Sequence, residues 1–259
     1  MPGRPPSAPN PAGAHFLHDH ELIGRLARAS GARPGRVVLD LGAGRGVITA
    51  ALAATGARVI AVERDRRLAA GLRRRFAADP QVEVAEADLR WLPLPRRDFL
   101  VVASPPFSVT TALCRRLLGD PAVRLAGAEL IIAGGAARWL ADPRPRDEQT
   151  AWWASRYELR LTRPVSRASF VPPPSVAAAW LSVRPRQISG SAAGQRRLRA
   201  LLRAAYRSPR SRSGRADAVL ALPRRLLVRA AVDPRTPAAM LTAEQWHRLA
   251  LLLARSVPD

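Results

Sequence analysis

Three acidic residues, three glycines and one proline-rich loop carry the chemistry open to this chain. In Asp40-Leu-Gly42-Ala-Gly44-Arg-Gly46 a carboxylate stands directly before glycines that alternate with other residues. Glycine reaches positive φ without steric cost and lets backbone come close to a ligand. A glycine-rich turn between a buried strand and a helix is where open α/β sheets bind ligands. The spacing is G-x-G-x-G, unlike the G-x-G-x-x-G of dinucleotide sites. Asp40 would also repel a pyrophosphate, so a cationic sulfonium is the better electrostatic match. Glu63 follows seventeen residues after Gly46, placed to accept hydrogen bonds from two ribose hydroxyls. Asp88 closes the next strand, placed to read the exocyclic amino group of an adenine.

The second constellation is Ser104-Pro105-Pro106-Phe107. It resembles the [D/N/S]-P-P-[Y/F] loop of enzymes that methylate exocyclic amines on bases. Such an amine is a poor nucleophile because its lone pair is delocalised into the ring. Acceptors at Ser104 and the Pro105 carbonyl can bind the amine hydrogens, draw the nitrogen toward tetrahedral geometry and aim its lone pair at a methyl group. The two prolines hold those acceptors in place before the reaction. Phe107 offers a face on which an extruded base can stack.

These residues need strands and helices to position them, and the chain supplies both. His18–Ser30 has a helical apolar pattern and runs into the turn Gly31–Gly35. Short apolar runs at 36–41, 58–63, 82–85, 99–103 and 128–133 read as buried parallel strands, with helices at about 47–54, 64–77 and 110–118 between them. That alternation implies βαβ units and a parallel sheet. Further along, Asp142–Asp147 reads as a proline-broken loop, 157–162 and 177–183 as strands, and 185–194 as a linker. Helical patterns follow at 195–206, about 223–231 and 242–255.

Composition narrows the class. The 259 residues carry 42 basic and 20 acidic side chains, a net charge of +22, and every basic residue is Arg. A GC-rich coding sequence explains Arg in place of Lys, but not a twofold excess of bases over acids; that points to a polyanionic partner. From Arg184 onward there are 16 Arg against four acids, so the smaller part holds the denser charge. With 47% hydrophobic residues, most of the chain has material for a core. One cysteine, Cys114, excludes a disulfide framework and is read as a core thiol. No apolar run spans a bilayer, and the first fourteen residues lack a secretory pattern.

With these residues assembled, the chain resembles the Erm family of 23S ribosomal RNA adenine-N6 methyltransferases, whose sister group is the small-subunit ribosomal RNA adenine dimethyltransferases. The likeness covers about residues 13–183. Gly13-Ala-His15-Phe-Leu17 stands where the family has a segment like S-Q-N-F-L that closes over the cofactor. Phe170-Val-Pro-Pro-Pro-Ser-Val176 is similar to its F-x-P-x-P-x-V, which implies that Phe170 lines the far side of the target-base pocket. The resemblance implies an α/β fold: a Rossmann-like class I methyltransferase sheet with a small C-terminal all-helical domain. It implies S-adenosyl-L-methionine as cofactor, met by His15, Leu17, Asp40, Gly42, Gly44, Gly46, Glu63, Arg64, Asp88, Leu89 and Ser104. Ser104, Pro105, Phe107 and Phe170 form the catalytic set. The implied reaction is mono- or dimethylation of an adenine in the peptidyl-transferase loop, giving macrolide, lincosamide and streptogramin B resistance.

The expected layout is a flexible tail over 1–14, a catalytic domain over 15–184 and a helical, Arg-rich RNA-binding domain over 185–259. The expected protein is a cytoplasmic monomer whose partner is 23S ribosomal RNA, with neither membrane nor metal. His15, His18, Asp19 and His20 crowd together but lack a metal-ligand spacing. Arg207, Arg210, Arg212 and Arg215, set among small residues, are the candidate RNA contacts. The runs Arg73–Arg75, Arg96–Arg97 and Arg115–Arg116 suit solvated faces equally well. Trp152, Trp153 and Trp246 read as core. Two departures from the family pattern stand out: Ser104 and His15 replace the usual Asn residues. They leave open an RNA-binding homologue with lost or altered transfer, and the sister small-subunit dimethyltransferases are the other alternative, although their Asn-Leu-Pro-Tyr type loop matches Ser104–Phe107 less well; retained activity biased to monomethylation is the leading expectation.

Overall fold

The computed structural model describes residues 15–187 and 192–255; the tail expected over 1–14 lies outside them. Among the described residues nine strands form: β1 Phe16–Leu17, β2 Val37–Leu41, β3 Arg58–Glu63, β4 Val82–Glu86, β5 Phe99–Ala103, β6 Leu125–Ala133, β7 Tyr157–Val165, β8 Phe170–Val171 and β9 Ala178–Pro185. The helices of the first half are α1 His20–Ser30, α2 Val47–Ala53, α3 Arg66–Arg75, α4 Thr110–Leu118, α5 Gly134–Leu140 and α6 Glu148–Arg156. Later come α7 Ala192–Tyr206, α8 Pro209–Ser213, α9 Ala216–Leu220, α10 Arg224–Arg229 and α11 Ala243–Arg255.

Seven strands make one sheet in the order β4-β3-β2-β5-β6-β9-β7. The first five pair in parallel, and β9 runs antiparallel to β6. Every residue of β2 and β5 is buried. Apart from Asp40, both strands are apolar throughout, as expected when helices cover both faces. Strand order reverses between β2 and β5, which places the crevice of an open α/β sheet at their carboxyl ends.

Two local signals set the start of the helices. Asp19 accepts a hydrogen bond from the Leu22 amide at 3.0 Å, so α1 starts at His20 and not at His18. Asp65 accepts from Arg67 and Leu68, starting α3 at Arg66. Leu22, Ile23 and Leu26 of α1 then pack into a core with Val38, Leu52, Val59, Leu100 and Ile131. Glu129 is buried in β6, where the Trp180 indole and the Ser182 hydroxyl donate to its carboxylate. Cys114 is buried on α4, and burial pushes its thiol up to about 12, so it is no nucleophile at neutral pH.

The chain divides into two compact units, and the division differs from the expected one. Residues 139–159, up to the first three residues of β7, group with the segment from Arg184 onward. The segment 148–156, for which no helix was expected, is α6, closed at its start by a capping box between Asp147 and Thr150. Trp152 and Trp153 of α6 and Trp246 of α11 are core residues, as their composition suggested. In this second unit the Tyr206 hydroxyl donates to the Pro145 carbonyl at 2.8 Å, and the Ala243 amide to the Pro143 carbonyl at 2.8 Å. His247 Nδ1 lies 2.9 Å from the Ser155 carbonyl. The proline-broken loop is thus bonded to residues 61 and 100 positions further along the chain. The stretch around Arg207–Arg215 contains α8, capped by Ser208, instead of a purely flexible run.

Candidate functional site

The glycine loop leaves β2 with Gly42, Gly44 and Gly46 all at positive φ, 82°, 55° and 78°. A side chain at two of these positions would collide with neighbours. A Cβ at Gly44 would stand 3.0 Å from the Phe16 ring, and one at Gly46 would stand 2.6 Å from a Leu72 methyl. At Gly42 it would lie 3.4 Å from the Pro105 Cα, so the glycine loop and the proline loop are in direct contact. The first Gly belongs to one constellation and Pro105 to the other; the fold has joined them at the strand-order reversal.

Asp40, the last residue but one of β2, is fully buried. Thr49 Oγ1 donates to its Oδ2 at 2.6 Å, while Oδ1 has no partner among the described residues. Burial, with Glu63 nearby, pushes the carboxyl up to about 7. A buried carboxylate with one oxygen unsatisfied is a receptor for a positive ligand. Glu63 is held by backbone: the Gly44 amide donates to Oε2 at 2.9 Å and the Asp65 amide to Oε1 at 2.8 Å. Each oxygen keeps a lone pair for a hydroxyl donor.

Asp88 is already gripped. Arg90 Nε donates to both of its oxygens at 3.0 Å and Nη2 to one at 2.6 Å, while Arg64 Nη1 lies 3.8 Å away. The Arg90 hydrogen bonds hold this carboxyl down near 2. Sequence reading placed Arg64 and Leu89 beside the site but missed Arg90, two residues from its carboxylate. It also missed Thr49, whose position one turn into α2 was the available signal.

Ser104 and Pro105 follow β5 outside any helix or strand, and Phe107 opens a short 3-10 turn before α4. Among the described residues neither the Ser104 hydroxyl nor the Pro105 carbonyl has a hydrogen-bond partner. Phe170 meets Phe107 edge-on, centroids 6.5 Å apart at 83°. Being 1% exposed, it backs Phe107 and offers no free face of its own. The N-terminal segment comes to the same place because β1 pairs antiparallel with β8, matching Phe16 to Val171 and Leu17 to Phe170. His15 Nδ1 lies 2.9 Å from the Pro172 carbonyl, which only accepts, so that nitrogen carries the proton. The His15 ring sits 6.1 Å from Phe107. Leu17 turns into the core, whereas Phe16 covers Gly44 and is itself covered by the Arg45 guanidinium at 4.8 Å. Phe16 is a further residue the motif comparison passed over.

Arg207, Arg210, Arg212 and Arg215 are exposed, but not equally available. Arg215 is paired with Asp217 at 2.8 Å, and Arg212 donates to the Arg146 carbonyl at 3.3 Å. Among the described residues no group of three or more potential metal ligands assembles, and no helix is long and apolar enough to cross a membrane.

The family model for ribosomal RNA adenine dimethylase matches residues 10–255. The chain belongs to the ribosomal RNA adenine dimethylase family. It is 28% identical over 176 residues to the rRNA adenine N-6-methyltransferase of Bacillus licheniformis, covering 68% of this chain and 61% of that protein. It is 32% identical over 264 residues to the ribosomal RNA small subunit methyltransferase A of Synechococcus sp. (strain RCC307), covering 93% and 94%. The crystal structure of 23S rRNA methyltransferase ErmE matches with a TM-score of 0.77 at 28% identity, over 91% of this chain and 98% of that one. A dimethyladenosine transferase from Plasmodium falciparum shares the fold, with a TM-score of 0.70 at 17% identity.

Ribosomal RNA adenine dimethylases use S-adenosyl-L-methionine as methyl donor. The residues here fit that group: the orphaned Asp40 Oδ1 suits its cationic end, and Glu63 suits a ribose.

Proposed function

We propose that the protein methylates N6 of an adenine in 23S ribosomal RNA, once or twice. S-adenosyl-L-methionine, when bound, supplies a sulfonium methyl open to attack by an amine nitrogen. Asp40 and Glu63 hold the donor's charged and ribose parts, and Asp88, steadied by Arg90, faces its adenine. Ser104 and the Pro105 carbonyl accept hydrogen bonds from the target amine, leaving its lone pair directed at the methyl; the nitrogen sheds its proton to solvent as the methyl leaves the sulfonium. Phe107 stacks on the target base, backed by Phe170, and His15 closes the pocket with its protonated Nδ1 fixed on the Pro172 carbonyl.

One observation carries this reading: two unpartnered acceptors, on Ser104 and Pro105, adjoin the glycine loop at Gly42. The 23S target is favoured by the likeness to ErmE over nearly the whole of both chains. The Ser-Pro-Pro-Phe loop also fits less well with the Asn-Leu-Pro-Tyr type of the small-subunit enzymes. The second reading, a small-subunit dimethyltransferase, is favoured by the Synechococcus relative aligned over 93% of this chain.

Incubating the protein and labelled donor with large- and small-subunit rRNA, then mapping the modified adenine, separates them. Label in the peptidyl-transferase loop of 23S RNA is expected, along with macrolide, lincosamide and streptogramin B resistance when the gene is expressed in a sensitive bacterium. Label confined to the small-subunit RNA establishes the second reading, and label in neither overturns both.

A further inference from the structure

Trp91 is 77% exposed, more than any other large hydrophobic side chain among the described residues. An indole left in water forfeits one of the largest apolar burials a side chain offers, so its exposure calls for a partner. The turn that presents it is fixed. The amides of Trp91 and Leu92 both donate to the Asp88 carbonyl, at 2.9 and 3.0 Å. Arg116 of α4, the helix that follows the proline loop, donates to the Leu92 carbonyl. Asp88, three residues before the indole, is the carboxylate of the cofactor cradle, locked by Arg90.

The charge around this turn is one-sided. Residues 87–98 join β4 to β5, and both acids flanking the indole are spent: Asp88 on Arg90, and Asp98 on Arg124 at 2.8 Å. Arg96 and Arg97 are exposed, and among the described residues neither has an ion-pair partner. Five and six residues of chain place them at most about 20 Å from the indole. That is the reach of two or three nucleotides.

We propose that Trp91 is a stacking platform for an unpaired base of the RNA substrate adjacent to the target adenosine, with Arg96 and Arg97 receiving the neighbouring phosphates. The inference rests on the RNA-methyltransferase reading above and adds a contact to it. Extruding the target adenosine unstacks its neighbours. A rigid aromatic face beside the donor cradle recovers that stacking for any base, since every base has a π-face. A lone indole with two unpaired guanidiniums on the same loop suits a base and its phosphates; a protein surface would want a wider apolar area.

The test uses the full chain and short transcripts of the 23S peptidyl-transferase loop and of the corresponding small-subunit hairpin, with RNA and donor binding measured separately. Trp91→Ala and Trp91→Leu are each expected to raise the Kd for the cognate transcript about tenfold. Trp91→Phe should stay within about threefold of the parent, and all three should keep the parent's donor Kd. Arg96→Gln with Arg97→Gln should flatten the dependence of log Kd on log salt. Trp91→Leu binding like the parent would overturn the platform, because leucine keeps apolar contact without a π-face. So would parental binding by Trp91→Ala, or sedimentation showing that the indole is buried between two copies of the chain. If the parent transfers methyl to neither RNA, the functional reading fails; the Trp91 series is still decided by RNA binding alone.

Discussion

At the scale of single residues, Asp40 sets the terms. Its carboxyl lies near 7 in the fold, against an ordinary value of 3.8. Between those values the native state keeps a proton that the unfolded chain releases, so stability falls as pH rises from about 4 to 7 and stays lower above it. A shift of that size corresponds to about 4 kcal/mol. Asp40→Asn should therefore resist denaturant better than the parent at pH 8, with the gap nearly gone at pH 4. Loss of S-adenosyl-L-methionine binding in the same variant, read by calorimetry, would show that the site keeps this cost for its ligand. Donor affinity of the parent should rise from pH 6 to pH 8, as the carboxyl ionises to meet a cation. Ser104 makes a second test. Ser104→Ala should lower the rate of transfer by about tenfold, while Ser104→Asn, which restores the family's usual residue, should raise it above the parent; a rate unchanged in both would remove Ser104 from the reaction.

At the scale of elements, the glycine loop and the β1–β8 ribbon do the positioning. Gly46 is the N-cap of α2, at φ 78°, and a methyl there would meet Leu72 and Phe76 of the α3 region at 2.6 and 2.9 Å. Gly46→Ala is expected to cost roughly 2 kcal/mol or more, from left-handed strain and the displaced core contact together. Denaturant titration reads that loss, and donor affinity should fall with it because the loop cannot close back on Glu63. The ribbon works differently. Pairing Phe16 with Val171 brings His15 to Phe107 and drapes Phe16 over Gly44, so a two-residue strand gathers three separate motifs.

Over the whole molecule, charge and core divide along the two units. Taking 139–159 into the helical unit adds three Arg and four acids, which leaves its positive surplus almost where the sequence count put it. Within Arg207–Arg215 the structure separates two kinds of arginine. Arg212 and Arg215 are engaged with Arg146 and Asp217, whereas the guanidiniums of Arg207 and Arg210 have no bonded partner among the described residues. Arg207→Gln with Arg210→Gln should weaken RNA binding and reduce the salt slope by roughly 1.5 to 2, while donor binding is spared. Arg215→Gln should change the slope less. An unaltered slope in the double variant, measured by anisotropy across a salt series, would place the RNA grip elsewhere.

The strands β2, β3 and β5, the glycine loop, the carboxylates at strand ends and the proline loop were all legible in the sequence. Each is a local signal: an apolar run long enough to be covered on both faces, or residue types whose backbone freedom or charge has one obvious use. What lay beyond it depends on partners far apart in the chain. No periodicity pairs Phe16 with Val171, assigns Trp152 and Trp153 to the core that holds Trp246, or ties Asp88 to Arg90 in place of leaving it open. Sequence reading placed Trp152, Trp153 and Trp246 in a core, where the structure has them, but held no signal that Trp91 stands in water. Burial is decided by which surfaces the folded chain brings together, and that choice belongs to the tertiary structure alone.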